Sequence, residues 1–219
     1  MRKFINIHTH NKQTEGVVSV INLGDNYNRC LDFDPCSIGI HPWFVTDTSF
    51  KGQLDELANY AAHETVFAIG ECGLDKRCET EWLLQEKAFF EQIKLANRID
   101  KPLLIHCVKA FGEVVQCLQK VNSKVPVIFH GFNRGITVAR TLIEKGYYLS
   151  FGRSLIRDQH LESLKACPLT QLFLETDDAE LEIETVYNKA SVVLGMPVEA
   201  LAVQLHENYA RVKKTKFNI

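Results

Sequence analysis

Two histidines near the start of the sequence have the spacing of a metal-binding pair. The residues are His8 and His10 in the stretch Ile-His-Thr-His, which closes a short apolar segment. On a β-strand, residues i and i+2 point to the same face, so both imidazoles would lie side by side while Thr9 points away. Paired imidazoles suit a divalent metal ion. The alternative is that both are polar residues of an early loop, because motifs this short also arise by chance.

Four further side chains that can bind metal each follow a different apolar segment. They are Glu71 after VFAIG, His106 after PLLI, His130 after VPVIF, and Asp177 after QLFLET. If these segments are the parallel strands of a barrel, the four residues stand at the carboxyl ends of the strands, where barrel enzymes form their active sites. With His8 and His10, they predict a metal centre at that end.

The chemistry of this residue set favours hydrolysis. Four imidazoles and two carboxylates can hold two divalent ions, with one carboxylate bridging them. Two ions ~3.5–4 Å apart can activate a water and neutralise charge on an attacked phosphoryl or acyl centre. Asp177 would bind one ion and accept the proton of the water. Asp177 and the other carboxylate of the set, Glu71, are therefore the candidate catalytic residues. The alternative for Asp177 is an acidic N-cap of the helix that follows.

The elements that would position these residues are eight short β-rich segments. Helical periodicity separates the later segments, and that alternation is typical of a parallel sheet. The sequence therefore predicts an α/β protein with a TIM-like (β/α)8 barrel. The predicted strands are Arg2–Ile7, Val17–Leu23, Cys36–Ile40, Val66–Ile69, Pro102–Ile105, Val125–Phe129, Tyr147–Ser150 and Leu172–Glu175, and the clearest helices are Trp82–Arg98, Phe111–Val121 and Ile136–Lys145.

The first quarter of the chain breaks this alternation. Residues 11–16 lie between His10 and the second predicted strand, and residues 24–35 lie between the second and the third. Neither segment has room for a crossover helix with its two loops. Either the first helices are shortened or missing, or one strand assignment is wrong; we favour missing helices. A barrel wall without its helices would expose apolar surface, which predicts a homo-oligomer that covers it.

Composition excludes several classes of protein. The chain is 46% hydrophobic, too apolar for a disordered protein, and its net charge of −2 gives no basic footprint for gripping long nucleic acid. Its apolar runs are too short to cross a bilayer, and no signal peptide is expected. Seven cysteines without a CxxC pair indicate reduced thiols and a cytoplasmic protein. Without linkers or repeats, residues 1–219 are predicted to form a single domain.

The motifs together resemble the TatD family of metal-dependent hydrolases, which belongs to the amidohydrolase-like barrels. The matching stretches run through most of the chain in the order that the family shows, and the combination is far more specific than any one of them. They are IHTH (7–10), GIHPW (39–43), AIGECGLD (68–75), QEKAFFEQIKLANRIDKPLLIH (85–106), FHGF (129–132), YYLSFG (147–152), LFLETDD (172–178) and HENYARV (206–212).

The resemblance implies a TIM-like barrel with a binuclear centre. Carried over residue by residue, one ion would be held by His8, His10 and Asp177. The other would be held by His106 and His130, with Glu71 as the bridge. Members of the family are described as deoxyribonucleases, often 3′ exonucleases, so DNA 3′ ends or a small phosphoester are the expected partners. The expected cofactors are two divalent ions per chain: Zn, Mn, Mg or Ni.

The sequence departs from the family pattern at residues expected to touch substrate. The family's Ser-Arg-Asp/Glu-Ala after the histidine is replaced by residues 107–110, Cys-Val-Lys-Ala, so the arginine is missing. An aspartate, Asp178, stands where a proline usually follows the ETD motif. Both changes would weaken contacts to a polyanion. The alternatives are therefore a hydrolase of a small ester, amide or phosphoester, and a non-catalytic metal-binding or interaction protein.

Several other residues are candidates for contacts to substrate. Lys109 or Arg134 would replace the missing arginine, and Arg153 would line the mouth of the barrel. His41, in Gly-Ile-His-Pro, is a candidate contact to substrate phosphate or a support for a ligand, and its alternative is a core histidine. Asp75 would either orient a ligand or serve as a turn residue.

Overall fold

The computed structural model describes residues 4–11 and 15–213. In this part of the chain, eight β-strands alternate with helices, and the strand pairs described below are parallel. This pattern confirms the predicted (β/α)8 class. The strands are β1 (Phe4–Thr9), β2 (Val17–Asn22), β3 (Cys36–Ile38), β4 (Val66–Asp75), β5 (Leu103–Val108), β6 (Val127–Phe129), β7 (Tyr148–Phe151) and β8 (Leu172–Leu174).

The helices include the three predicted from periodicity, here α2, α3 and α4, with ends shifted by a residue or less. The α-helices are α1 (Phe50–Ala61), α2 (Trp82–Ile99), α3 (Phe111–Lys120), α4 (Ile136–Glu144), α5 (Arg153–Ile156), α6 (Leu161–Ala166), α7 (Ile183–Leu194) and α8 (Val198–Lys213), and 3-10 turns cover Tyr27–Leu31 and Leu169–Gln171.

Two strand boundaries differ from the prediction in a way that matters for the site. Strand β1 continues to Thr9, so His8 lies within it; residues 2 and 3 of the predicted strand lie outside the described residues. Strand β4 runs to Asp75, well beyond the predicted end at Ile69, and all of its residues are buried. The polar Glu71 and Asp75 break the apolar run that marks a strand in sequence, although the backbone pairing with β5 continues.

The short early connections are as the sequence predicts. The described residues between β1 and β2 contain no helix, and the connection from β2 to β3 holds only the 3-10 turn Tyr27–Leu31. Tyr27 and Cys30 of that turn are buried, so the turn supplies apolar contacts that a crossover helix would otherwise make. A full helix, α1, follows β3, so the shortening is confined to the first two connections among the described residues.

The chain divides into two compact units. The described residues of the first are 4–11, 15–21 and 128–213. In this unit β6, β7 and β8 pair in order, β1 pairs with β2, and a parallel bridge joins Thr9 to Asp177. Helices α7 and α8 pack on β1, and the Tyr187 hydroxyl donates a hydrogen bond to the carbonyl of Ile5 at 3.0 Å.

The second unit comprises residues 22–127 among those described. Its sheet has the order β3–β4–β5, and α2 packs on β4. Two buried glutamines of α2 fix the strand ends. Gln92 accepts a hydrogen bond from the Ile40 amide at 2.7 Å, and Gln85 accepts one from the Asp75 amide at 2.9 Å. The single domain over residues 1–219 stays a prediction.

Candidate metal-binding clusters

His8, His10 and Asp177 form a cluster in the first unit. His8 is fully buried in β1, whereas the His10 side chain is 42% exposed just beyond the strand. Their rings meet edge to face with centroids 5.1 Å apart. The Asp177 Oδ1 lies 3.4 Å from His8 Nε2 and 3.5 Å from His10 Nε2. The i, i+2 spacing therefore brings both imidazoles next to the same carboxylate, that of Asp177.

Backbone hydrogen bonds position Asp177 against β1. Its amide donates to the His8 carbonyl at 3.1 Å, and its carbonyl accepts from the His10 amide at 3.0 Å. Asn6 strengthens the same join, since its side chain donates to Thr176 Oγ1 at 2.8 Å and accepts from the Thr176 amide at 3.0 Å. Asp177 is not a helix N-cap, because Glu182 occupies that position of α7.

His130 and Glu175 lie beside this cluster. The His130 ring is 4.2 Å from the His8 ring, between centroids. Glu175 directly follows β8 and is fully buried. Its Oε1 accepts a 2.6 Å hydrogen bond from the Gly131 amide and lies 3.6 Å from His130 Nδ1. Its Oε2 has no hydrogen-bond partner among the described residues. Ligand atoms of His130, Glu175 and Asp177 lie within 4.8 Å of one another.

The sequence analysis missed Glu175 as a site residue. It had the same signal as the residues that were singled out, a carboxylate directly after the apolar run Leu172–Leu174. In the sequence it is the last residue of the predicted strand Leu172–Glu175, and only Asp177 is predicted as a ligand. The structure shows that ligand atoms of both carboxylates lie within 4.8 Å of one imidazole, that of His130.

A second cluster, His41, Glu71 and His106, lies in the second unit. Glu71, in β4, is 6% exposed, and its Oε1 lies 3.1 Å from His106 Nδ1 and 3.7 Å from His41 Nε2. The His41 and His106 rings are 4.4 Å apart. The side-chain amide of Asn22 donates to Glu71 Oε2 at 2.9 Å. The sequence predicts His41 as a contact to substrate phosphate or a support for a ligand; the structure places it beside Glu71 and His106, and its role stays a prediction.

Asp75 holds His106 in place. The carboxylate is 1% exposed, and its Oδ2 lies 3.1 Å from His106 Nε2 and accepts a 2.7 Å hydrogen bond from the Trp43 indole. Its Oδ1 accepts from the Arg77 amide at 2.7 Å. Burial by itself would raise the pKa of the Asp75 carboxyl, but the hydrogen bonds from Trp43, Arg77 and His106 hold that pKa below its usual value. Of the two readings of Asp75, orientation of a ligand matches these contacts.

The predicted substrate contacts are distributed unevenly. Arg153 lies beside a cavity of about 240 Å³ in the first unit, whose walls also include Asn133 and Arg157 and whose lining includes Asp177. The Arg153 guanidinium donates a 2.7 Å hydrogen bond to the Asp178 carboxylate. Lys109 is exposed just after β5, and Arg134 is half-buried after β6; neither lines this cavity.

The residues in both clusters fit a divalent ion. Imidazole nitrogens and carboxylate oxygens are the ligands that Zn, Mn and similar ions take in proteins. A buried carboxylate oxygen without a hydrogen-bond partner, as at Glu175, is unfavourable unless a cation compensates it. The clusters are therefore candidate metal sites. The assignment of their residues to two particular ions, with Glu71 as a bridge, stays a prediction.

Comparison with known proteins identifies the family. Residues 2–214 match the family described as TatD related DNase. The chain belongs to this family. An uncharacterized metal-dependent hydrolase of Buchnera aphidicola is 34% identical over 66% of the chain and 56% of its own length. YabD of Bacillus subtilis, with the same description, is 34% identical over 67% of the chain and 59% of its own length.

A fission yeast relative carries a more specific name. The protein called deoxyribonuclease Tat-D of Schizosaccharomyces pombe is 31% identical over 77% of the chain and 57% of its own length. The chain thus spans less than two thirds of the length of these three TatD relatives.

Solved structures confirm the fold. The TatD homologue YJJV of Escherichia coli matches 100% of the chain and 99% of its own with a TM-score of 0.82 at 22% identity. A TatD-family hydrolase of Entamoeba histolytica matches 98% of the chain and 99% of its own with a TM-score of 0.84 at 16% identity. The described residues hold no helix with the length and hydropathy needed to cross a membrane.

Proposed function

We propose that this TatD-family chain is a metal-dependent hydrolase of phosphodiester bonds that acts as a deoxyribonuclease on DNA 3′ ends. The observation that carries the proposal is the pair of imidazole–carboxylate clusters. One is His8, His10 and Asp177, and the other is His41, Glu71 and His106. The names of the family and of the fission yeast relative support DNA as the substrate.

Each cluster would hold a divalent ion, which gives two per chain. When bound, such ions polarise the attacked phosphoryl group and lower the pKa of water. In the first unit the ligands would be His8, His10 and Asp177, with His130 and Glu175 beside them. In the second unit they would be Glu71 and His106, with Asp75 fixing the orientation of His106. His41 accepts a hydrogen bond at Nδ1 from the Trp43 amide, so its Nε2 carries the proton and would donate to a substrate phosphate.

Asp177 would accept the proton of the attacking water. Its side chain is 35% exposed and lines the cavity of the first unit, so it is open to solvent and would be open to a substrate in that cavity. Glu71, by contrast, is nearly buried and hydrogen-bonded by Asn22, which suits a fixed ligand rather than a group that exchanges protons with solvent.

The cavity of the first unit would suit an anionic substrate once a bound cation offsets the carboxylates of Glu175 and Asp177 in its lining. Arg153 and Arg157 supply guanidinium groups, and Asn133 supplies a neutral donor. Guanidinium groups bind phosphate with paired hydrogen bonds. Asp178 neutralises part of this charge through its contact to Arg153. That contact favours the second candidate, a small phosphoester or ester in place of a polyanion.

The test is cleavage of a single-stranded oligonucleotide by the wild-type chain, D177N and E71Q, with E180Q as an exposed control. We expect loss of cleavage in the first two variants, which should still fold and unfold cooperatively, and full activity in E180Q. Blocking the 3′ end should stop cleavage of the wild-type substrate. Near wild-type rates in D177N or E71Q would refute the assignment, and preference for an ester or amide over every phosphodiester would refute the nuclease.

A further inference from the structure

Two aromatic side chains are exposed next to the cluster of the second unit. Trp43 is 55% exposed and Phe44 is 61% exposed, in the loop between β3 and α1. The other large aromatics of this unit are buried or half-buried, with Phe67 and Phe89 in its core. An aromatic face left in water adds little to folding, so two adjacent ones indicate a surface with a different use.

Trp43 is exposed and yet held in a fixed orientation. Its indole N–H donates a 2.7 Å hydrogen bond to Oδ2 of the buried Asp75. Its backbone amide donates to His41 Nδ1 at 3.2 Å, and the Phe44 amide donates to the His41 carbonyl at 3.0 Å. The edge of the indole is thus bound to the protein while its exposed surface remains open. A rotamer fixed in this way costs little further entropy when a ligand packs on it.

The two rings are near the candidate ligands. The Trp43 ring centroid lies 5.2 Å from that of His41 and 6.2 Å from that of His106. Phe44 lies 5.6 Å from His41, and its ring makes a 73° angle with the ring of Trp43. A flat group that packs on the Trp43 and Phe44 rings would lie within one nucleotide of a phosphate bound beside His41 and His106.

We propose that Trp43, together with Phe44, is a stacking platform for a nucleobase next to the scissile phosphate. This inference rests on the proposed nuclease activity and adds a determinant of substrate recognition. Stacking on an aromatic face binds any base, because every base has a π-face. It would partly replace the phosphate contacts that the missing arginine after His106 removes. Asp75 acts here as a positioning residue, since it orients the indole and His106 through the same oxygen.

The first test measures stacking without catalysis. The chain has two tryptophans, so the variant W82F leaves Trp43 as the single tryptophan reporter. We expect saturable quenching of its fluorescence by deoxyadenosine monophosphate and none by 2-deoxyribose 5-phosphate, which lacks the base. The matched variant W43F, which reports from Trp82, should show no saturable change. Equal responses to both ligands, or purely collisional quenching, would overturn the platform.

The second test measures recognition during turnover. For a short single-stranded DNA, W43A should raise KM about 5- to 150-fold, the usual effect of losing one stacked base, with a smaller change in kcat. For the same strand with abasic 3′-terminal sites, W43A and the wild type should have the same KM. W43F should retain part of the binding because it keeps an aromatic face.

The two tests separate failure of the platform from failure of the proposed function. If W43A weakens cleavage of intact and abasic strands equally, the platform is wrong and the nuclease stands. If the wild-type chain cleaves neither strand, the nuclease is wrong, and the fluorescence titration alone decides whether Trp43 binds a base.

Discussion

Replacing Glu175 by glutamine should stabilise the metal-free protein and weaken its response to metal. The carboxylate is fully buried, with one oxygen bound to the Gly131 amide and the other without a hydrogen-bond partner among the described residues. Glutamine has the same shape and keeps an acceptor for Gly131, but it removes the buried charge. In the metal-free protein the buried charge of Glu175 is destabilising, whereas a bound cation would pair with it.

The sizes of both effects follow from this geometry. Replacing the charged, unpartnered Oε2 by a neutral amide nitrogen lowers the cost of burial by about 1–3 kcal/mol. For a chain of 219 residues, 1 kcal/mol moves Tm by about 2–4 °C. Metal-free E175Q should therefore melt about 2–12 °C above the metal-free wild type. Loss of a carboxylate at or beside a metal site costs about 10- to 100-fold in affinity, so the gain in Tm on adding metal should shrink.

The assay is thermal melting by circular dichroism, with and without Mn or Zn after removal of metal by EDTA. E180Q, which changes an exposed carboxylate to the matching amide, is the control and should behave as the wild type in both states. A metal-free E175Q that melts below the metal-free wild type would refute the reasoning, as would an unchanged shift on adding metal.

Three further predictions concern single contacts. D75N should lower the free energy of unfolding at pH 7 by about 1–3 kcal/mol. The folded-state pKa of Asp75 lies below 3.8, so its contribution to stability is present above that pH and is lost as the pH falls through the folded-state pKa. Urea titrations of D75N should therefore show a weaker dependence on acid pH than those of the wild type. D178N should free Arg153 and lower KM for an anionic substrate, and its melting curve should hardly move because the pair is exposed. Y187F should cost about 1–3 kcal/mol, measured by denaturant unfolding, because the hydroxyl bonds both backbone groups of Ile5.

The strands and their order were predictable because each one begins with a short apolar run. Their ends were less so. The pattern ended β4 at Ile69, since polar Glu71 and Asp75 do not look like strand residues; burial in a paired central strand permits them because each has polar partners. The loss of the first two crossover helices was predictable from the short connections between the first three strands. Helix α1 was not singled out, because few of its residues are buried.

The candidate ligands were predictable to the extent that they follow apolar runs. The spacing of His8 and His10 and the position of Asp177 lead to the cluster that the structure shows. The contacts between side chains were not predictable from one sequence. The grouping of His41 with Glu71, and the bond from Trp43 to Asp75, depend on how loops fold back over strand ends.

The most direct test of the proposed function is the metal content of the purified chain together with its dependence on metal. Protein purified without chelator is analysed for metals, and cleavage of bis-p-nitrophenyl phosphate is measured before EDTA, after EDTA and after adding Mn, Zn or Mg. We predict about two divalent ions per chain, as expected of a two-metal hydrolase, and cleavage that EDTA abolishes and metal restores. Cleavage that is indifferent to EDTA, or a chain that binds none of these ions on reconstitution, would contradict the account.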